Sequence, residues 1–536
     1  MIIDFVKKIP GFIFKYKFTI LCLLYFCIIS ILATYSNLEG RISKPAIATA
    51  LSFFFILNII AKMKYSSIFS VVFAILISID SYFAFVYSTS ITSGILGSIF
   101  ETNAAEAKEV LTDALFKAII ILGITLLLIF QSKKELKPIN FSIKKSLAVF
   151  LIYSCLFIPG ILYRKITINE VRMGDFAMFP LNTVQLLTAQ HFPLIYNDCV
   201  TYLVYRDEMS KLNSYKTSER VLPEGIVLEN TELAPEKIYY IIGESSWRNH
   251  YSLYGYSKKT TPFLDSLNAA SPNNIKYYDG IAPAPFTRDA TRILLSFATP
   301  TDINPFFREK SIIDLAHHAG YETLWISNQA QLDFNGSYIG YVAMNANYNF
   351  FNTKTSENDL DLLPVIADRK KQGKKQFIII HLTGSHLSYS ERFDEIDVAA
   401  IAGGNDQITQ YDRTIHHTDR VLRGIYNEMQ KDSCSVLYYI PDHSEIIGLG
   451  HGFPNQGTSQ FEVPIIVINN KAAEIETIVD KYIDPETSLI NGSSSIYILS
   501  EYLGYSVSKE NVEKSIIDGR YILHGDGKIY KYDTVK

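Results

Sequence analysis

KIYYIIGESSWRNHYSLYGY, residues 237–256, opens on a buried-strand pattern, Lys237 to Gly243, and delivers a carboxylate, Glu244, where that run ends. Four later runs share its character: TLWIS (323–327), QFIIIHL (376–382), SVLYYIP (435–441) and VPIIVIN (463–469). Each is apolar along almost its whole length instead of alternating, which suits strands of a sheet covered on both faces by helices. SIIDLAHHAG (311–320) predicts a helix ending at Gly320, and YDRTIHHTDRVLRGIYNEMQ (411–430) has helical spacing. RYILHGDGKIYKYD (520–533) reads as a terminal hairpin with Asp-Gly at its turn. The expectation is an α/β domain over 236–536 with a mainly parallel central sheet covered by helices.

Open α/β sheets gather their chemistry at the carboxyl ends of the strands. Glu244 follows the first run, His386 closes LTGSH (382–386), and Asp442-His443 follows SVLYYIP, with His451 shortly after. If the strands are parallel, these groups emerge along one edge. Carboxylate and imidazole donors from separate strands suit a metal ion; the mixed oxygen and nitrogen set fits Zn²⁺, and ligand type leaves manganese as the alternative. Thr287, in APFTRDATR (284–292), adds a hydroxyl near the start of a helix, where an anionic phosphate is also favoured.

Ahead of this domain lie five apolar stretches, Phe18–Tyr35, Pro45–Ile60, Ile68–Tyr87, Leu111–Phe130 and Leu147–Tyr163. A helix rising ~1.5 Å per residue needs roughly 20 residues to cross a hydrocarbon core. Four are long enough and the second is the shortest, so five spans are expected. Lys7, Lys8, Lys15, Lys17, Lys62, Lys64, Lys133, Lys134, Lys137, Lys144 and Lys145 fall on one side, against Arg41, Lys44 and Lys108 on the other. That bias places the N-terminus in the cytoplasm and, after five spans, everything beyond Tyr163 outside. The expected organisation is a transmembrane domain over 1–165, an interfacial connector with short amphipathic helices over 166–235, and the exported domain. Asp80, in ILISIDSYF (75–83), is expected to pack helices through a hydroxyl such as Ser78 or Ser81, or to meet a lipid headgroup. Only Cys199 and Cys434 are available to an exported domain, so no disulfide scaffold is expected. With 50 basic and 54 acidic side chains, the charge gives no reason to expect a nucleic-acid partner.

The ordered set Gly243-Glu244-Ser245, Arg248, Gly255-Tyr256, Thr261-Pro262, APFT, LTGSH and PDHSE resembles the membrane phosphoethanolamine transferases of Gram-negative envelopes, within the alkaline-phosphatase and sulfatase superfamily. The resemblance covers nearly the whole chain. It implies a bacterial inner-membrane enzyme with a periplasmic domain that binds one principal zinc ion, and a second in some states, through Glu244, Thr287, Asp442 and His443. It implies Thr287 as nucleophile, with His386 and His451 binding the transferred group or a second zinc. The donor implied is phosphatidylethanolamine and the acceptor an envelope glycan. The cysteine-free APFT stretch looks more like the branch acting on the inner-core sugars of lipopolysaccharide, with lipid A and periplasmic glucans as alternatives. WISNQAQLDFNG (325–336) lacks the lysine familiar from the lipid-A branch, and Asn328 and Gln329 read as polar substrate contacts. Arg288 reads as a phosphate contact or a local ion pair, Arg248 as a substrate contact or an anchor of the Glu244 turn, and Arg292 as a solvated or paired side chain. Thr291 is the alternative nucleophile. The competing functions are transfer of phosphoglycerol, hydrolysis by a sulfatase or phosphodiesterase, and a non-catalytic module that senses lipid or metal. The C/S-x-P-x-R setting of sulfatases is missing around Thr287.

Overall fold

Every side chain of Lys237–Gly243 is buried, and successive residues go to opposite faces of the sheet. Ile238, Tyr240 and Ile242 join one apolar cluster, with Phe377, Ile379, Val436, Tyr438 and Ile440. Tyr239 and Ile241 join another, with Ile378, Ile380, Leu437 and Tyr439. A strand that is apolar throughout therefore fills two cores, one under each layer of helices.

The structure, a computed structural model, describes residues 11, 13–34, 43–87, 90–92, 95–97, 104–153, 155, 194–215, 219–329, 338–352, 358–453, 456–472, 475–525 and 527–535. It divides into two units, Met1–Leu96 with Ala104–Glu208, and Gly97–Asn103 with Met209–Lys536.

The second unit is built on eight strands: β1 (Lys237–Gly243), β2 (Ile275–Ile281), β3 (Glu322–Ser327), β4 (Tyr348–Phe351), β5 (Gln376–His381), β6 (Ser435–Pro441), β7 (Glu462–Asn470) and β8 (Ile490–Asn491). Their order is β4-β3-β5-β1-β6-β7-β2-β8. The half from β4 to β6 is parallel throughout, with Lys237 opposite both Gln376 and Ser435. β7 runs antiparallel to both β6 and β2. The sheet is thus mixed, and VPIIVIN does not continue the parallel run. Three strands, β2, β4 and β8, were not expected; β2 alternates half-buried and exposed residues through its middle, and β4 and β8 are short.

Helices α6 (Thr287–Leu294) and α7 (Ile312–His318) supply residues to the first core, and α8 (Gln407–Met429) to the second. α7 starts on a capping box in which the Ser311 hydroxyl accepts from Asp314 N–H and Asp314 accepts from Ser311 N–H. Its chain turns away at Gly320, φ +82°. Tyr521–Leu523 and Ile529–Lys531 form the terminal hairpin; its expected turn residue Asp526 lies outside the described residues.

The first unit contains α1 (Lys17–Thr34), α2 (Ser43–Lys62), α3 (Ser66–Tyr87), α4 (Ala104–Leu136) and the part of α5 (Leu194–Tyr215) up to Glu208, with residues 143–153 also helical. Phe26, Phe53 and Phe73 pack at its centre, the Phe26 and Phe53 rings 4.4 Å apart. Tyr25 on α1 donates to Ser81 Oγ on α3 at 2.6 Å and sits 3.0 Å from Thr125 Oγ1 on α4. Large apolar side chains such as Leu24, Ile68, Val72, Leu76, Ile119 and Leu127 face outward, an arrangement suited to hydrocarbon surroundings.

Ser66–Val86 and Leu115–Leu136 are long and apolar enough to cross a membrane, whereas Lys17–Ala33 and Ala46–Lys62 are apolar but shorter. Part of the fifth expected span, residues 156–163, lies outside the described residues, as does the connector over 166–193. Of the rest of the expected interfacial segment, residues 194–215 form the single longer helix α5, and Ile226–Leu228 is a short strand paired antiparallel with Tyr505–Val507. Asp80 meets neither serine proposed for it. Ser78 and Ser81 donate to the backbone carbonyls of Ala74 and Ile77, and the Asp80 carboxyl lies within hydrogen-bonding reach of Asp198 on α5. All five cysteines are free thiols.

Candidate metal centre

β1 and β6 are neighbours in register, Gly243 opposite Pro441, so the residues that follow them are forced together. Glu244 leaves β1 and Asp442-His443 leaves β6, all three buried, with one donor atom from each inside a 4.8 Å group. His443 Nε2 lies 3.3 Å from Glu244 Oε1 and 3.4 Å from Asp442 Oδ2. Thr287, first residue of α6, completes the set. Its Oγ1 is 3.2 Å from Glu244 Oε2 and 3.2 Å from His443 Nε2. The N-cap of α6 is Phe286, so the Thr287 hydroxyl is not used in capping.

Gly384 lets the LTGSH loop lie against Glu244. It adopts φ +54°, and a Cβ there would come within 2.6 Å of the Glu244 carbonyl oxygen. The same approach allows Ser385 N–H to donate to that oxygen at 3.0 Å.

The imidazoles share one arrangement. Nδ1 of His443 is 2.9 Å from Ser444 O, that of His386 is 2.6 Å from Leu387 O, and that of His451 is 2.6 Å from Pro285 O. A carbonyl only accepts, so each Nδ1 carries the proton, which makes Nε2 the unprotonated nitrogen of each neutral ring. The His443 and His451 rings lie 4.0 Å apart. When protonated, His386 is near enough for its charge to act on Glu244, His443 and His451.

Burial pushes the Glu244 carboxyl upward, but His443, His386, His451 and the Ser245 hydroxyl outweigh it and hold the group at about 2. Asp442 is pushed well up, by burial first and then by the charge on Glu244. Burial lowers both His443 and His451. Asp442 Oδ2 has no hydrogen-bond donor although it is fully buried. Two carboxyls and an imidazole nitrogen in a dry pocket, one oxygen orphaned, form a donor set that a divalent cation satisfies.

The remaining expected residues divide. Gln329 Nε2 donates to Glu244 Oε2 at 2.9 Å and to Leu382 O at 3.0 Å, so it steadies the carboxylate. The Asn328 amide is spent on Asp359, Thr383 and Asn352, away from the donor set. Arg248 turns to Asp279 at 3.5 Å and Gly280 O at 3.4 Å. Arg288 and Arg292 both lie over the Tyr338 ring, and Arg292 also pairs with Asp289 at 3.1 Å, buried instead of solvated. Thr291 gives its hydroxyl to the Thr287 carbonyl, a helix-internal bond.

Gln460 was not anticipated. Its Oε1 accepts from Gly452 N–H at 2.8 Å and Phe453 N–H at 3.1 Å, and its Nε2 returns to Phe453 O, fixing the loop that carries His451. No pattern around Gln460 signals this, because its partners are backbone groups.

A sulfatase family model matches residues 237–499, and a model described as phosphoethanolamine transferase EptA/EptB matches residues 49–166. The chain is similar to phosphoethanolamine transferases. It is 24% identical over 383 residues to phosphoethanolamine transferase EptC of Escherichia coli O18:K1:H7, a match covering 67% of the chain and 65% of that relative, a little under two thirds of its length. Its fold is similar to that of the integral membrane lipooligosaccharide phosphoethanolamine transferase A of Neisseria meningitidis, with a TM-score of 0.61 at 17% identity over 92% of this chain and 96% of that one. The periplasmic domain of Escherichia coli EptC, solved as a complex with Zn, aligns with a TM-score of 0.50 at 20% identity over 59% of this chain and 98% of that domain.

Proposed function

We propose that the chain transfers phosphoethanolamine from phosphatidylethanolamine to a lipopolysaccharide acceptor, an inner-core sugar, through a covalent intermediate on Thr287. The observation that carries the reading is the Thr287 hydroxyl, 3.2 Å from both Glu244 Oε2 and His443 Nε2 at the sheet edge. Glu244, Thr287, Asp442 and His443 would hold a zinc ion, which when bound lowers the pKa of the hydroxyl and offsets phosphoryl charge. The orphaned Asp442 Oδ2 and the unprotonated Nε2 of His443 fit that role.

Thr287 Oγ1 attacks the phosphorus of the donor, forming a new P–O bond as the bond to the glycerol oxygen breaks. Diacylglycerol leaves with a proton. An acceptor hydroxyl then attacks the same phosphorus, gives up its proton, and frees Thr287. His386 and His451 present Nε2 for these proton movements and for contact with phosphoryl oxygens. The lipid donor gives the apolar helices a purpose: they keep the reacting domain at the bilayer surface, with the N-terminus cytoplasmic and the domain periplasmic.

The test uses purified full-length protein with phosphatidylethanolamine and phosphatidylglycerol carrying distinguishable headgroup labels. Label from phosphatidylethanolamine on the Thr287 peptide, with release of diacylglycerol, is the expected result. Label from phosphatidylglycerol instead assigns phosphoglycerol transfer, and no protein-bound label from either lipid removes the double displacement. Adding lipopolysaccharide fractions of defined core structure then identifies the acceptor.

A further inference from the structure

The turn carrying Glu244 leaves β1 through a conformation that serine rarely adopts, with Ser245 at φ +50°. Ser245 Oγ donates to Glu244 Oε1 at 2.8 Å, so the orientation of that carboxylate depends on how the Ser245 peptide is held. The holding group arrives from far along the chain. Tyr411, in the second turn of α8, donates its hydroxyl to Ser245 O at 2.8 Å and accepts from Trp247 N–H at 2.7 Å. One oxygen therefore satisfies a backbone acceptor and a backbone donor on either side of Ser246.

Tyr411 is fully buried, and its ring is set edge-on to His250 at 5.2 Å and against Tyr389 at 5.2 Å. The next residue, Asp412, grips the same loop, with His250 Nδ1 at 2.7 Å, Lys258 Nζ at 2.6 Å and Tyr256 OH at 3.2 Å. The start of α8 is thus fastened to the segment after β1 at several points.

We propose that Tyr411 is a positioning residue for the metal centre: its hydroxyl clamps the Ser245 peptide and, through Ser245 Oγ, holds Glu244 in its ligating orientation before an ion arrives. The inference rests on the reading of Glu244 as a metal ligand. Groups behind a ligand set its geometry, and losing one typically weakens metal binding by about 10- to 100-fold.

The test compares the zinc affinity of full-length wild type, Tyr411→Phe and Tyr239→Phe by competition with a chromophoric chelator, alongside thermal unfolding of each metal-free protein. Tyr239→Phe is the control because it also loses a buried hydroxyl, one bonded to Asp432 at 2.7 Å at the opposite end of β1. Expected is a loss of about 10- to 100-fold in zinc affinity for Tyr411→Phe and a near-wild-type value for Tyr239→Phe. Equal affinities for wild type and Tyr411→Phe, or equal losses in both variants, overturn the proposal. Wild type that takes no zinc removes the metal reading itself, a separate failure. Amide exchange at Trp247 in metal-free wild type needs neither an ion nor a folded variant. Protection matching that of the β1 amides supports the clamp, and exchange at open-loop rates overturns it.

Discussion

At Thr287 and Thr291 the same side chain meets two fates within one turn of helix. Thr287 points its oxygen at Glu244 and His443, whereas Thr291 returns its hydroxyl to the backbone. Thr287→Ala is expected to abolish the protein-bound phosphoethanolamine adduct, and Thr287→Ser to retain part of it. Thr291→Val is expected to keep the adduct while losing about 1 kcal/mol of stability with its hydrogen bond. Mass spectrometry of the 287–292 peptide after brief exposure to donor lipid separates these outcomes. His443→Ala removes the only imidazole within the candidate donor group of Glu244, Asp442 and His443 among the described residues. Metal analysis of the folded variant should find zinc largely lost; full occupancy would remove His443 from the ligand set. How much of this was legible depends on the residue. Glu244, Asp442 and His443 announce themselves by ending apolar runs. Asn328 does the same yet is consumed by partners 24, 31 and 55 residues away, and nothing in its neighbourhood reveals that. Tyr411 and Gln460 act on backbone atoms, which leave no compositional trace.

Strands buried on both faces were readable because apolar residues follow one another through the middle of β1, β5, β6 and β7. Their direction was not: side chains in VPIIVIN are as buried in an antiparallel strand as in a parallel one, and only the chain path from Gln460 into β7 sets the sense. β2 escaped because it mixes Lys276 and Asp279 among apolar residues. Helix α8 was legible from spacing, but not the work of its polar face. Asp419 on that helix accepts from Phe263 N–H at 2.8 Å and Leu264 N–H at 3.1 Å, at the start of the helix Pro262–Ala270. Burial nonetheless raises its carboxyl to about 7, against the pull of those two donors. A carboxyl raised on folding binds more protons in the folded state, so its contribution to stability is greatest below the unfolded value near 3.9 and is lost as pH rises toward 7. Asp419→Asn should flatten that part of the stability profile between about pH 4 and pH 7, measured by denaturant unfolding across the range. An unchanged slope would mean that Asp419 is charged in the folded protein throughout.

For the molecule as a whole, the basic bias of the loops and the lengths of the apolar runs make a topological statement. The N-terminus and C-terminus should lie on opposite faces of the membrane, and reporter fusions at both ends should differ in activity accordingly. Both ends on the same side would mean an even number of crossings, with Ala46–Lys62, among the shorter apolar helices, the first place to look. That number was not fixed by helix length, because Ser66–Val86 and Leu115–Leu136 are long enough to cross whereas Lys17–Ala33 and Ala46–Lys62 are shorter.

The pairing of β1 with β6 also governs when the centre can come into being. Thr287 follows Glu244 by 43 residues, but the imidazole they share lies 156 residues further on. Contacts so distant in sequence form late, after the entropy of closing a long loop has been met. A nascent chain that has emerged only through α7 holds Glu244 and Thr287 and lacks both donors of the Asp442-His443 pair. On the proposed reading, ion capture would follow the arrival of β6, and a chain that lacks it would carry only half of the candidate donor set.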